Sequence, residues 1–148
     1  LEEAHWQGAK GIRSGIQSHA AIHNAGVEAA QTARWSQAEQ LFSAAILRSP
    51  EEPLSWIARG ISRSEQAKDD IAAADFRYAA SLYLKSGQTE VVEQLQTAAE
   101  AVQKRRKDAS QTVSGNGWGG QILNGMTSLA QTLAPLAMKA LIPMGLGL

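Results

Sequence analysis

The sequence predicts an all-α fold, an antiparallel helix-turn-helix short solenoid followed by a C-terminal amphipathic helix. Its apolar residues follow helical spacing, and no alternating segment of useful length indicates a strand. Much of the apolar content is alanine, which lets helices pack closely. A set of small and aromatic residues also recurs with a period of about 34 residues, as helix-turn-helix repeats do. The two copies are Ala38, Phe42, Ala45 and Pro50, then Ala72, Phe76, Ala79 and Leu84.

The first half of the chain predicts two helices after a short, glycine-rich helix candidate over residues 3–17. A stripe of small and apolar side chains from about His19 to Gln31 predicts the first of them. The second begins at about Ser36. It ends before Pro50, because the residue before a proline disfavours the helical conformation.

Three further helices are predicted before the composition changes. Pro53 suits the first turn of the third helix, since proline has no backbone N–H to offer. The fourth is expected from about Ile71 to Lys85, with Gly87 as its left-handed C-cap. The fifth is expected over residues 89–107. We therefore divide the chain into a repeat domain at 1–108, a Gly/Ser-rich linker at 109–120, and an apolar C-terminal helix and tail at 121–148.

The C-terminal helix is the predicted interaction element, because its apolar side chains fall within one arc of a helical wheel. We expect it to dock on the repeats of the same chain or of a neighbouring one, since a solenoid end needs a cap. Binding to another protein or to a membrane surface is the alternative. A membrane-spanning tail is disfavoured by interrupting polar residues. The predicted contact residues are Trp118, Ile122, Met126, Leu129, Leu133 and Leu136.

Charge and composition argue against several classes of function. The formal net charge is zero, so no global field attracts nucleic acid, and the basic run at 104–107 is interpreted as a solvated helix end. Cysteine is absent, which excludes thiol chemistry and fits a reducing compartment. We expect a cytoplasmic protein, with membrane association as the alternative.

No constellation of residues predicts catalysis, a metal site or a cofactor. His19 and His23 lie one helical turn apart, but no third ligand accompanies them. The acidic pairs at 51–52 and 69–70 lie near predicted helix starts, where the helix dipole favours negative charge. The glycines of residues 115–120 follow no strand and lack the lysine of a phosphate-binding loop. The sequence therefore predicts a non-enzymatic protein.

Residues of about 19–107 resemble the tetratricopeptide repeat family. The first copy supplies the family's small and large residues at Ile22, Ala25, Gly26, Ala29, Ala38, Phe42, Ala45 and Pro50. The second supplies Trp56, Gly60, Ala72, Phe76 and Ala79. It departs from the pattern at Arg59, Arg63 and Leu84, where leucine, tyrosine and proline are usual. A second register, with a further repeat starting near Phe76, gives the same antiparallel helices.

The resemblance implies a scaffold or adaptor that binds a helix or peptide in the groove formed by the first helix of each pair. Its apolar lining favours an amphipathic helix over a clamped carboxylate. We also expect self-association through the C-terminal helix. The rival function is a membrane-associated assembly factor anchored by the C-terminal apolar segment. The implied groove residues are Ala20, His23, Asn24, Val27, Gln31, Leu54, Ile57, Ala58, Ile61 and Glu65.

Overall fold

The computed structural model describes residues 18–112 and 131–145, and within these ranges all regular secondary structure is helical. The all-α prediction is therefore confirmed. The helix candidate at 3–17 and four predicted contact residues (Trp118, Ile122, Met126 and Leu129) lie outside the described residues. The helices are α1 His19–Gln31, α2 Trp35–Arg48, α3 Pro53–Glu65, α4 Asp69–Lys85, α5 Thr89–Thr112 and α6 at 131–140.

Helices α1, α3 and α4 begin where a capping side chain, a proline or acidic residues suit the free N–H groups of a first turn. The Ser18 hydroxyl accepts a hydrogen bond from the Ala21 N–H at 3.1 Å, which caps α1. Pro53 occupies the first turn of α3, as predicted. Helix α4 begins at Asp69, two residues before the predicted start, and places two aspartates in its first turn.

Three helices end in turns of the same construction. Ala33, Ala67 and Gly87 follow α1, α3 and α4 with positive φ angles of 59°, 61° and 78°. At each turn the N–H of the positive-φ residue and the N–H of the residue after it bond back to carbonyls of the last helical turn, which is the Schellman arrangement. The sequence predicts only Gly87, because alanine carries no local signal for this conformation. These short turns join consecutive helices that pack on each other, α1 with α2, α3 with α4 and α4 with α5.

The pairs α1–α2 and α3–α4 use the same close contact. A Cβ atom on Gly26 would lie 2.5 Å from the Phe42 ring, and one on Gly60 would lie 2.7 Å from the Phe76 ring. Both rings are fully buried. The glycines therefore let each aromatic ring lie directly on the backbone of the partner helix.

The two arginines that break the repeat pattern form ion pairs with a buried aspartate. Arg59 donates two hydrogen bonds to the Asp75 carboxylate, at 2.9 and 3.1 Å, and Arg63 donates a third at 3.0 Å. Asp75 is only 2% exposed. Burial of its carboxyl raises the pKa of Asp75, and the hydrogen bonds and charges of both guanidiniums oppose that rise. The cluster joins α3 to α4.

Glu39 extends this cluster to α2. Its carboxylate accepts hydrogen bonds from Arg63 at 2.8 Å, Gln66 at 2.8 Å and Lys68 at 2.9 Å. Burial would raise the pKa of Glu39, but these donors lower it to about 2. Three consecutive helices are thus connected by charged side chains as well as by the apolar core.

Helix α5 packs on α4 and extends beyond its expected end. It continues to Thr112, so the domain boundary expected at residue 108 lies inside a helix. Arg105 bonds both to the buried Asp69 carboxylate and to the Ser64 carbonyl. Arg106 forms an exposed pair with Asp70. Half of the basic run at 104–107 is therefore paired with the acidic start of α4.

Candidate helix-binding site

The predicted groove residues divide into buried and accessible groups. Those that face the core are His23, Val27, Ile57, Ala58 and Ile61, all buried. Ala20, Asn24 and Leu54 are half-buried. Gln31 and Glu65, which close α1 and α3, are exposed. The middle of the expected groove is therefore covered rather than open to solvent.

Part of this cover is the chain's own C-terminal segment, residues 131–145. Leu133, Leu136 and Ala140 lie on one face of α6, are buried, and belong to the main core cluster. Met138 and Ile142 are 75% and 54% exposed. The segment therefore has one face in the core and one face toward solvent, the arrangement expected of an amphipathic helix.

Two adjacent residues of α1 anchor this segment, and we call them the α1 docking pair. The His23 Nε2 atom lies 2.8 Å from the Ala140 carbonyl oxygen. The Asn24 side-chain amide donates to the Met144 carbonyl at 2.9 Å, and its Oδ1 accepts the Met144 N–H at 2.6 Å. All three bonds go to main-chain atoms of the docked segment. They fix its position along α1 independently of its side chains.

Ser55 of α3 completes the site by bridging two histidines of α1. Its Oγ lies 2.7 Å from His19 Nε2 and 2.9 Å from His23 Nδ1. A carbonyl accepts only, so His23 must carry its proton on Nε2, and in the neutral ring Nδ1 accepts from the Ser55 hydroxyl. Ser55 in turn accepts from His19. The hydrogen bonds therefore run in one direction from His19 through Ser55 and His23 to Ala140.

The surroundings keep His23 neutral at pH 7. The ring is fully buried and packs against Phe42, with ring centroids 5.1 Å apart. Burial lowers the pKa of His23 to about 4, the bond to the Ala140 carbonyl opposes this fall, and the nearby His19 adds to it. Burial also lowers the pKa of His19, against the raising effect of Glu52.

In the part of the chain that the structure describes, His19, His23 and Ser55 bond to one another and to the docked segment. His19 and His23 share a serine rather than converging on a metal position, and the described residues contain no group of three or more His, Cys, Asp or Glu side chains suited to a metal. Among the described helices, none combines the length and the apolar character needed to cross a bilayer.

Sequence reasoning names His23 and Asn24 as groove residues but does not identify Ser55 or the acceptor atoms. Ser55 carries a weak signal, since a serine between apolar positions of α3 needs a buried partner. The main-chain acceptors carry none, because any residue supplies a carbonyl. Pro143 alone marks the place where α6 must end.

Comparisons with known protein families, with curated proteins and with solved structures found no match for this chain. The geometry of the docked segment therefore provides the argument for function.

Proposed function

We propose that this protein is a non-enzymatic interaction module that binds an amphipathic helix on the face formed by α1 and α3. The observation that carries the proposal is the docking of residues 131–145, whose apolar face is buried and whose main chain bonds to His23 and Asn24. The chain's own segment is the resident ligand. A helix from another protein, or from a second copy, would bind the same face in its place.

The repeated construction of the helix pairs supports this proposal. Gly26 with Phe42 and Gly60 with Phe76 make equivalent contacts about 34 residues apart. In tetratricopeptide proteins, which the sequence resembles, ligands bind to the first helix of each pair. The corresponding helices here are α1 and α3, and the docking pair lies on α1.

A ligand in trans competes with a tethered one. Residues 131–145 belong to the same chain as their site, so their binding is intramolecular, and tethering of this kind corresponds to an effective concentration of roughly millimolar. Self-association by exchange of residues 131–145 between copies should therefore require either high concentration or a weakened resident segment. Another protein must likewise bind more tightly than the resident helix to displace it.

The proposal is tested by freeing the site and adding the helix back. In the full-length L136D variant, a charge replaces a buried leucine, so the resident segment should leave. A fluorescent peptide of residues 129–145 should then bind L136D at least tenfold more tightly than it binds the wild type, as measured by anisotropy.

M138D is the matched control, because Met138 is exposed on the same helix. It should bind the peptide as weakly as the wild type does. Circular dichroism establishes that L136D remains folded. A helical L136D chain that does not bind the peptide would contradict the proposal.

Attachment to a membrane surface is a second candidate function. The observation that favours it is the exposure of Met138 and Ile142, which lie four residues apart in the docked segment. Co-sedimentation with anionic liposomes tests it. The rival function predicts that M138D/I142D reduces lipid binding several-fold, whereas equal or absent lipid binding by both proteins would contradict it.

A further inference from the structure

At the end of α6, two side chains of α1 take the places of the two partners in one main-chain helical hydrogen bond. In a continuing helix, the N–H of residue 144 would bond to the carbonyl of residue 140. Here the Ala140 carbonyl accepts from His23 Nε2, and the Met144 N–H bonds to Asn24 Oδ1. Two consecutive residues of α1 thus satisfy the donor and the acceptor that would otherwise satisfy each other.

The bonds to His23 and Asn24 are possible only because the docked helix ends near residue 140. The N–H of Leu141 makes the last helical bond, to the Ala137 carbonyl at 2.8 Å. Pro143 has no N–H and disfavours the helical conformation at the preceding residue. The free carbonyls of a helix end need partners wherever they are buried, and Ala140 is fully buried.

We infer that the α1 docking pair recognises the C-terminal end of a helix, rather than the side of a continuous one. The inference rests on the proposed function and narrows its ligand class. The ligand combines an aliphatic helix face with a non-helical end. Four residues after the last helical residue, its main chain offers both an N–H and a C=O to the asparagine. His23 hydrogen-bonds to the carbonyl of the last helical residue, and Asn24 hydrogen-bonds to the main chain of residue 144, beyond the helix.

The ligand's sequence requirements follow from the resident segment. The buried positions carry leucine, leucine and alanine at helix positions i, i+3 and i+7. A proline three residues after the alanine ends the helix. The hydrogen bonds of His23 and Asn24 to the segment go to main-chain atoms, so they place no requirement on the side chain at 144, except that proline lacks the N–H. The ligand in trans is therefore a protein helix with this apolar face and this stop signal.

Three peptides of residues 129–145 test the inference on the L136D chain, each measured by anisotropy. M144A keeps the main-chain N–H and should bind within about threefold of the native peptide. M144P removes that N–H and should bind roughly tenfold more weakly, because Asn24 loses its donor partner. A third peptide carries P143A and G145A and an added alanine-rich extension, so that its helix continues through 144. It should also bind at least tenfold more weakly, despite its higher helicity.

The chain variant N24A provides the second half of the test. On L136D/N24A, the native and M144P peptides should bind with equal affinity, because the bond that distinguishes them has been removed at its other end. A continuous helix that binds as tightly as the native peptide would overturn the inference while leaving the proposed function intact. Failure of the native peptide to bind would instead overturn the proposed function.

Discussion

His23 connects three helices through one imidazole ring. It lies on α1, receives the Ser55 hydroxyl of α3 at Nδ1, and donates from Nε2 to the end of α6. Both nitrogens form hydrogen bonds in the neutral ring. A second proton, on Nδ1, would prevent this atom from accepting the Ser55 hydroxyl. The ring would also carry its charge beside His19 and without a carboxylate partner among its hydrogen bonds.

This geometry predicts that acid destabilises the protein through His23. The pKa of His23 in the folded state is about 4, below the ordinary value of 6.5, so the unfolded chain takes up the proton first as pH falls. The free energy of unfolding should be unaffected by His23 above pH 6.5 and should fall by about 2 kcal/mol by pH 5. Urea denaturation at pH 7.5 and pH 5 measures the difference.

H23Q is the control for this prediction, since glutamine has a donor but does not titrate. It should lose most of the pH dependence in this window, leaving the smaller contribution of His19, whose pKa is lowered in the same direction. Glu39, with a pKa lowered to about 2, contributes only below about pH 4.5. An H23Q variant with the full pH dependence of the wild type would refute the assignment.

Gly26 and Gly60 are the residues at which a single methyl group should matter most. In either position a new Cβ would come within 2.5 to 2.7 Å of a buried phenylalanine ring. We expect G26A and G60A each to lower the free energy of unfolding by about 1–3 kcal/mol, because the ring has to shift in a packed core. G145A, with no heavy atom within 4 Å of its new Cβ, should change stability by less than about 0.5 kcal/mol.

At the scale of elements, charged side chains form part of the contact between α3 and α4. Arg59 and Arg63, which depart from the tetratricopeptide pattern that the sequence resembles, both pair with Asp75. The departure from the pattern is therefore a coordinated set of three residues. A buried ion cluster of this kind is strongly destabilised when one partner is removed alone.

The cluster of Arg59, Arg63 and Asp75 predicts that one substitution is destabilising and that two further substitutions compensate for it. D75A should cost about 3–5 kcal/mol, because it leaves the half-buried Arg59 without a carboxylate and Arg63 with Glu39 alone. The triple variant R59L/R63Y/D75A, which restores the apolar residues of the pattern, should recover most of that loss in urea denaturation. Removal of Arg106 from its exposed pair should cost less than about 1 kcal/mol. A triple variant no more stable than D75A would contradict this account.

The helices were largely predictable from the sequence, since apolar spacing, prolines and Gly87 mark most of their limits. The sequence predicts the start of α4 two residues late because Asp69 has no local apolar signal. Its carboxylate is held by Arg105, which is distant in sequence. The sequence does not predict the left-handed turns at Ala33 and Ala67 for a related reason. Tertiary packing, not the alanine itself, favours that conformation there.

The site was predictable only in part. The resemblance to tetratricopeptide repeats implies His23 and Asn24 as residues of a binding face on α1. Their partners could not be inferred, because Ala140 and Met144 are more than a hundred residues away and offer only main-chain atoms. Helical periodicity identified the apolar face of the C-terminal segment, including Leu133 and Leu136, without indicating which surface would receive it.

At the scale of the whole molecule, residues 131–145 cover part of the surface of α1. The segment contributes three buried side chains, accepts two hydrogen bonds from α1 at main-chain carbonyls and donates a third from the Met144 N–H. Under the proposed function, this segment competes with outside helices for the α1 face. The affinity for an outside helix would then depend on how strongly the resident helix is held.

The most direct test of this account is the nuclear Overhauser spectrum of the dilute full-length protein. We predict cross-peaks between the His23 imidazole protons and Ala140, since their hydrogen-bonded atoms are 2.8 Å apart. They should persist in M138D and disappear in L136D. A folded wild-type protein without cross-peaks between His23 and Ala140 would contradict the central claim that residues 131–145 occupy the α1 face.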